Sequence, residues 1–132
     1  MPFDHERLDV YKAAIDFIAW VADLLDGLRR SSAAKHLDEA SQSIANNIAE
    51  GNGKRSRPDR CRFLDMARGS ALECAACLDG LVARKQVSAT EVAKGKELLE
   101  RIVSMLWRMI ESFQLSSPKT RTSTSTSTST RR

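Results

Sequence analysis

The chain has 132 residues, enough for one domain at most, with 29% charged and 5% aromatic side chains. Its net charge of +4 is a terminal effect: Lys119, Arg121, Arg131 and Arg132 follow the last acid, Glu111, and the other seventeen Lys and Arg are matched by seventeen Asp and Glu. A uniformly basic body is therefore excluded as an argument for nucleic-acid binding, and the distribution of charge has to carry it.

Pro occurs only at Pro2, Pro58 and Pro118, so long regions lack helix breakers and an all-α fold is expected. No apolar run approaches the roughly 18 residues needed to cross a bilayer. The opening MPFDHERLD is too acidic and polar for a secretory signal. These features predict a cytoplasmic protein with no membrane partner. Three cysteines, Cys61, Cys74 and Cys77, without a secretion signal argue against a disulfide framework.

Helix one is expected to start near Asp4, with Phe3 and Leu8 as a hydrophobic staple. Two apolar stripes run along it. Leu8, Tyr11, Ile15, Ile18, Ala22 and Leu25 repeat at spacings of three and four and predict a bundle seam. Val10, Ala13, Phe17, Trp20 and Leu24 form a second stripe, shifted by two residues and so on nearly the opposite face at about 100° per residue. One bundle can use only one stripe. Val10, Phe17, Trp20 and Leu24 are therefore expected to meet a neighbouring subunit, with Val103 and Trp107 of the last helix as the complementary surface.

Ser31 or Ser32 can cap helix two, whose seam is Leu37, Ser41, Ile44, Ile48 and Gly51. Gly51-Asn52-Gly53 is expected to end it in the left-handed conformation. Ser56 caps helix three, with Pro58 in its first turn and Asp59 at the third position. Phe63, Leu64, Ala67, Ala71, Cys74, Leu78 and Leu81 supply its apolar face. Ser88-Ala-Thr-Glu91 is a capping box for helix four, with Val87 and Val92 as its staple. Val92, Leu99, Ile102, Leu106, Met109 and Phe113 form its seam, interrupted by Gly95. Short links make this an antiparallel up-down-up-down four-helix bundle over residues 1–115. Residues 116–132 form a Ser/Thr-rich basic tail with nothing apolar to bury, expected to be disordered.

Polar residues interrupt the pattern at the centre. Asn46, Asn47 and Glu50 lie inside helix two, where Asn competes for backbone groups. In a hairpin centred on the Gly51–Ser56 turn, Asn47 should lie near Leu64 and Ala67, and Ser41 near Ser70. Gly69 and Ser70 are small enough for close backbone approach. Such side chains either form a satisfied buried network that fixes register or face water. Lys54, Arg55, Arg57, Arg60 and Arg62, with Arg68 two turns on, form a basic cluster at the start of helix three. Cations around a helix N-terminus suit phosphates; the alternatives are a solvated loop or pairing with the acidic stripe of helix one.

Asn46-Asn47-Ile48-Ala49-Glu50-Gly51, then Ser56, Phe63-Leu64, Ala67, Gly69-Ser70 and Glu73, closely resemble the bacterial four-helix-bundle family named after the 23S rRNA intervening-sequence protein. Phe3, Leu8, Val10-Tyr11 and Ala13 resemble the family's N-terminus, with Tyr11 where Trp is frequent. Cys74 and Cys77 stand where ordinary apolar residues are usual. The resemblance implies an up-and-down bundle assembled into a ring, a homopentamer in related proteins, with no known catalysis. It implies a link to intervening sequences in 23S rRNA genes. The accessory protein of diversity-generating retroelements, a more distant relative, works with a reverse transcriptase and nucleic acid, but its basic positions do not map onto this sequence.

Catalytic and metal patterns are weak. Cys74-Ala-Ala-Cys77 lacks further ligands for tetrahedral zinc. Neither His5 nor His36 has Glu three positions before it, as a di-iron bundle requires. No Gly-rich loop follows a strand. Glu50 and Glu73 could pair as carboxylates, but a structural role is favoured. The expectation is a non-enzymatic homo-oligomer without cofactor or metal that associates with RNA or a ribonucleoprotein; the alternative is a protein-interaction scaffold.

Overall fold

The computed structural model describes residues 3–115, so the Ser/Thr-rich segment 116–132 lies outside the described residues. After a 3-10 turn at Asp4–Arg7 come four helices: α1 (Asp9–Asp26), α2 (Ser32–Asn52), α3 (Arg57–Ala83) and α4 (Ala89–Leu115). Consecutive helices are neighbours and α1 also packs on α4, whereas no Cα of α1 comes within 8 Å of one in α3. The bundle is therefore a four-cornered, up-and-down arrangement with α1 and α3 on one diagonal.

The caps explain most boundaries. The Ser31 hydroxyl accepts from the Ala34 amide at 3.1 Å, and the Ser56 hydroxyl accepts from the Asp59 amide at 3.2 Å. At α4 the capping box is complete: the Ser88 amide donates to Glu91 Oε1 at 2.7 Å, and the Glu91 amide donates to Ser88 Oγ at 3.1 Å. Val87 and Val92 are both buried, as a staple requires.

The start of the chain differs from expectation. Asp4 does not begin an α-helix; α1 begins at Asp9 and Leu8 gives no side-chain cap. Phe3 is exposed and stacks on His5 at 5.9 Å instead of stapling. Asp4 instead accepts from Asn52 Nδ2 at 2.9 Å, tying the N-terminal turn to the end of α2.

Both stripes of α1 pack within the bundle, and the second lies deeper: Leu8, Tyr11, Ile18 and Leu25 of the first are half-buried against the core. Val10 (2% exposed) and Phe17 (0%), with Ala13, Ala14 and Val21, lie in the bundle core. Trp20 and Leu24 are half-buried against that core, and the Trp20 ring stacks on Phe17 at 5.7 Å. The stripe assigned to a neighbouring subunit is thus used within the chain. The other stripe holds Ile15, which is 42% exposed. Two stripes of similar hydropathy leave the choice to packing partners, and Gly95 on α4 makes room only for the Trp20 side.

The α2 seam is buried at every position from Leu37 to Gly51. Gly51, however, is not a left-handed stop. No glycine among the described residues has a positive φ, and the helix runs on to Asn52. Gly51 is needed for close approach: a Cβ there would lie 3.0 Å from Phe63 Cβ and 3.3 Å from the Arg60 carbonyl oxygen.

Candidate nucleic-acid rim and interface groove

The α2–α3 turn gathers its cations by local chemistry. Arg60 Nε donates to the Lys54 carbonyl at 2.7 Å, closing the turn over Gly53–Ser56. Lys54 Nζ lies 3.4 Å from the Glu50 carboxylate and 4.9 Å from the Phe63 ring centre. Arg62 approaches the same ring at 4.6 Å and pairs with Asp59 at 3.7 Å. Arg60 also lies 5.7 Å from the Phe113 ring. Phe63 thus draws two cations towards one half-buried ring. Such exposed pairs are worth less than about 1 kcal/mol each and orient the cations more than they hold the fold.

Lys54, Arg60 and Arg62 take these partners from α2, the turn, α3 and α4 rather than from the acidic stripe of α1. Arg55 and Arg57 are exposed beside them, and Arg55 makes no ion pair among the described residues. Five cations outnumber the acids placed beside them, Glu50, Asp59 and Asp4, and the helix dipole adds to the positive surplus at the first turn of α3.

Arg68 does not belong to this rim. It sits farther along the α3–α4 face, its guanidinium 5.1 Å from the Trp107 ring. Its Nε is buried and has no hydrogen-bond partner among the described residues. A groove of about 630 Å³ runs here between α3 and α4, lined by Arg68, Leu72, Leu99, Val103 and Trp107 among others. Arg68, a candidate phosphate ligand by sequence, and Val103 with Trp107, candidate interface residues, therefore form one surface. Leu72, 48% exposed, joins them. It was missed because it falls off the α3 seam; a large apolar residue off the seam was the available signal.

The polar signature divides into two sets. Ser43 Oγ lies 2.9 Å from Ser70 Oγ across the α2–α3 contact. Asn47 Nδ2 donates to the Ser43 carbonyl at 2.9 Å and to its hydroxyl at 3.0 Å, so Asn47 reaches Ser70 through Ser43. Ser41, expected opposite Ser70, is buried and donates to the Asp38 carbonyl at 2.7 Å within its own helix. Asn46, Glu50, Gly69 and Glu73 are exposed. Glu50 pairs with Lys54, and a Cβ at Gly69 would meet open space, so the close approach expected at Gly69 occurs at Gly51 instead.

The family model for the 23S rRNA-intervening sequence protein matches residues 6–108, from the 3-10 turn into α4. The chain belongs to that family. A solved protein of unknown function from the S23 ribosomal protein family of Bacteroides thetaiotaomicron is similar to it, with 20% identity and a TM-score of 0.73 over 77% of this chain and 98% of that one. At that identity the likeness shows the shared fold. Among curated proteins, none matches.

In this member of the 23S rRNA-intervening sequence protein family the cysteines are free thiols. Burial, then the neighbouring Cys77 and Glu73, pushes the Cys74 thiol up to about 12. Burial, aided by Glu73 at Cys77 and by Asp65 at Cys61, raises the other two. High thiol pKa disfavours both nucleophile and metal-ligand chemistry. Among the described residues, no group of three or more His, Cys, Asp and Glu is placed to hold a metal ion, and no helix is long and apolar enough to cross a membrane.

Proposed function

We propose that this protein is a non-enzymatic, homo-oligomeric four-helix module of the cytoplasm that associates with RNA or a ribonucleoprotein. The observation that carries the reading is the Lys54–Arg62 rim: five cations on a turn fixed by the Arg60–Lys54 bond, with Arg55 and Arg57 exposed at the N-terminus of α3. Phosphates suit such a surface because several rigidly held cations replace condensed counterions at low ordering cost. The family's tie to 23S rRNA intervening sequences supports RNA as the partner. A ring, with five subunits as the family resemblance suggests, would repeat the rim along one side. The raised thiols and the Glu50–Lys54 pair support a structural rather than a catalytic reading of those groups.

The test is binding of a single-stranded RNA oligonucleotide to the full chain across a salt series. Phosphate-led affinity falls steeply as salt rises. One observation favours a scaffold that binds protein alone, the open α3–α4 groove. Failure to bind RNA at low salt selects that alternative.

A further inference from the structure

Among the described residues, the apolar side chains left outside the packed helices include two surfaces of unlike kind. One is the α3–α4 groove, where Leu72 and Trp107 are each about half exposed. The other is the outer face of α1, where Ile15, Ala19 and Ala22 are exposed. Asp16 and Asp23, seven residues apart, run along one edge of that face, and neither has an ion pair among the described residues. Because α1 and α3 lie on the bundle's diagonal, the two surfaces are separate patches of one molecule.

The groove also holds an uncompensated cation. Arg68 has no ion pair among the described residues, and its guanidinium lies beside an indole that accepts no conventional hydrogen bond from it. Its enclosed Nε is out of an incoming group's reach, but the rest of the guanidinium is a strong partner for a carboxylate. Glu100 lines the same groove without pairing with Arg68, and α1 carries unpaired acids beside an apolar ridge.

We infer that the α3–α4 groove receives the outer face of α1 from a second copy of this chain, Ile15 packing against Leu72 and Trp107 and the Asp16–Asp23 edge supplying a carboxylate to Arg68. This rests on the homo-oligomeric part of the proposed function and assigns surfaces to it. The contact joins two different faces, so it propagates head to tail and closes when the rotation permits. It also gives the exposed aspartates of α1 a cationic partner that the bundle itself does not provide.

Sedimentation velocity on the full chain tests this, with circular dichroism to confirm that each variant stays helical. Arg68→Glu, and separately Asp16→Arg with Asp23→Arg, should each weaken self-association by roughly tenfold or more. Combining all three changes in one chain restores opposite charges and should recover the assembly. Ile15→Glu, at an exposed position that the fold does not depend on, should dissociate it as well. An oligomeric parent that ignores these changes overturns the pairing and leaves self-association standing. A parent that is monomeric at micromolar concentration overturns both. Loss of RNA binding in Arg68→Glu with no change in mass also overturns the pairing, since Arg68 would then serve phosphate.

Discussion

The indole of Trp20 fills the space in which a side chain at position 95 would start, and Gly95 on α4 is what admits it. The ring is held there by stacking on the buried Phe17. Gly95→Ala should gain about 1 kcal/mol from helix propensity, but it drives a methyl group into the ring, and overpacking costs about 1–3 kcal/mol. The expected net result is a lower urea midpoint, with part of the loss recovered when Trp20→Ala is added. A raised midpoint for Gly95→Ala alone would show that the ring moves aside freely.

The α3–α4 turn contains the opposite situation, a residue that is not glycine where glycine is favoured. Lys85 has φ 61°, and its amide donates to the Val82 carbonyl at 2.9 Å while Gln86 donates to Leu81 at 3.0 Å. This is a Schellman ending with Lys in the left-handed position. A left-handed L-residue costs about 1–2 kcal/mol, partly offset by the extra chain entropy that glycine loses. Lys85→Gly should therefore raise stability by about 0.5–1 kcal/mol in urea unfolding, with the m-value unchanged. A loss of stability would mean that the lysine side chain makes a compensating contact.

Ser43 and Ser70 offer a test of the polar contact between α2 and α3. The hydroxyls lie 2.9 Å apart, and Asn47 donates to the Ser43 hydroxyl. Ser43→Ala should cost more than Ser70→Ala, because it strips partners from both Ser70 and Asn47. Losses of about 0.5–1.5 kcal/mol per hydrogen bond are expected. The double variant should cost less than the sum of the singles. Strict additivity would mean that the hydroxyls do not interact.

These positions show what the sequence could and could not convey. The caps at Ser31, Ser56 and Ser88 were legible because capping is local chemistry within four residues. The seams of α2 and α4 were legible because each has one apolar stripe. In α1 the period was right, but both stripes pack on the bundle and the deeper one is that of Phe17 rather than Ile15, because the gap at Gly95 that admits Trp20 belongs to α4 and leaves no mark on the α1 pattern. The close approach falls at Gly51 and not at Gly69 for the same reason: it depends on which backbone lies opposite. The basic rim was visible as a charge run, but the separation of Arg68 from it depended on Trp107, thirty-nine residues away in the chain.

The cysteines make a prediction about pH. A thiol whose folded pKa is raised holds its proton in the folded state after the unfolded chain has released it, so the unfolded state binds fewer protons above the ordinary value. Stability then falls as pH rises. For Cys74 the fall begins near the ordinary value of 9.0 and continues to about 12. The slope approaches about 1.4 kcal/mol per pH unit within that window. Cys74→Val lacks this titration, so its stability relative to the parent should rise between pH 9 and 10. Parallel curves for the two proteins would show that Cys74 does not titrate differently on unfolding.

For the proposed RNA binding, the rim and the C-terminal segment are rival sources of affinity, and the salt slope separates them. Deleting residues after Leu115 removes Lys119, Arg121, Arg131 and Arg132 and keeps the four described helices. Arg55→Ala with Arg57→Ala removes two exposed cations from the turn. Adding Arg60→Ala also breaks the bond from Arg60 Nε to the Lys54 carbonyl, so the triple variant both discharges and loosens the turn. Each lost phosphate contact flattens the dependence of log affinity on log salt by roughly 0.7 for a single strand. The rim variants should weaken binding more than the deletion does, because cations held by Phe63, Phe113 and the turn lose little freedom on binding. The triple variant should lose more affinity than the pair. Binding by the triple variant equal to that of the parent, at every salt concentration, would take the rim out of the interface.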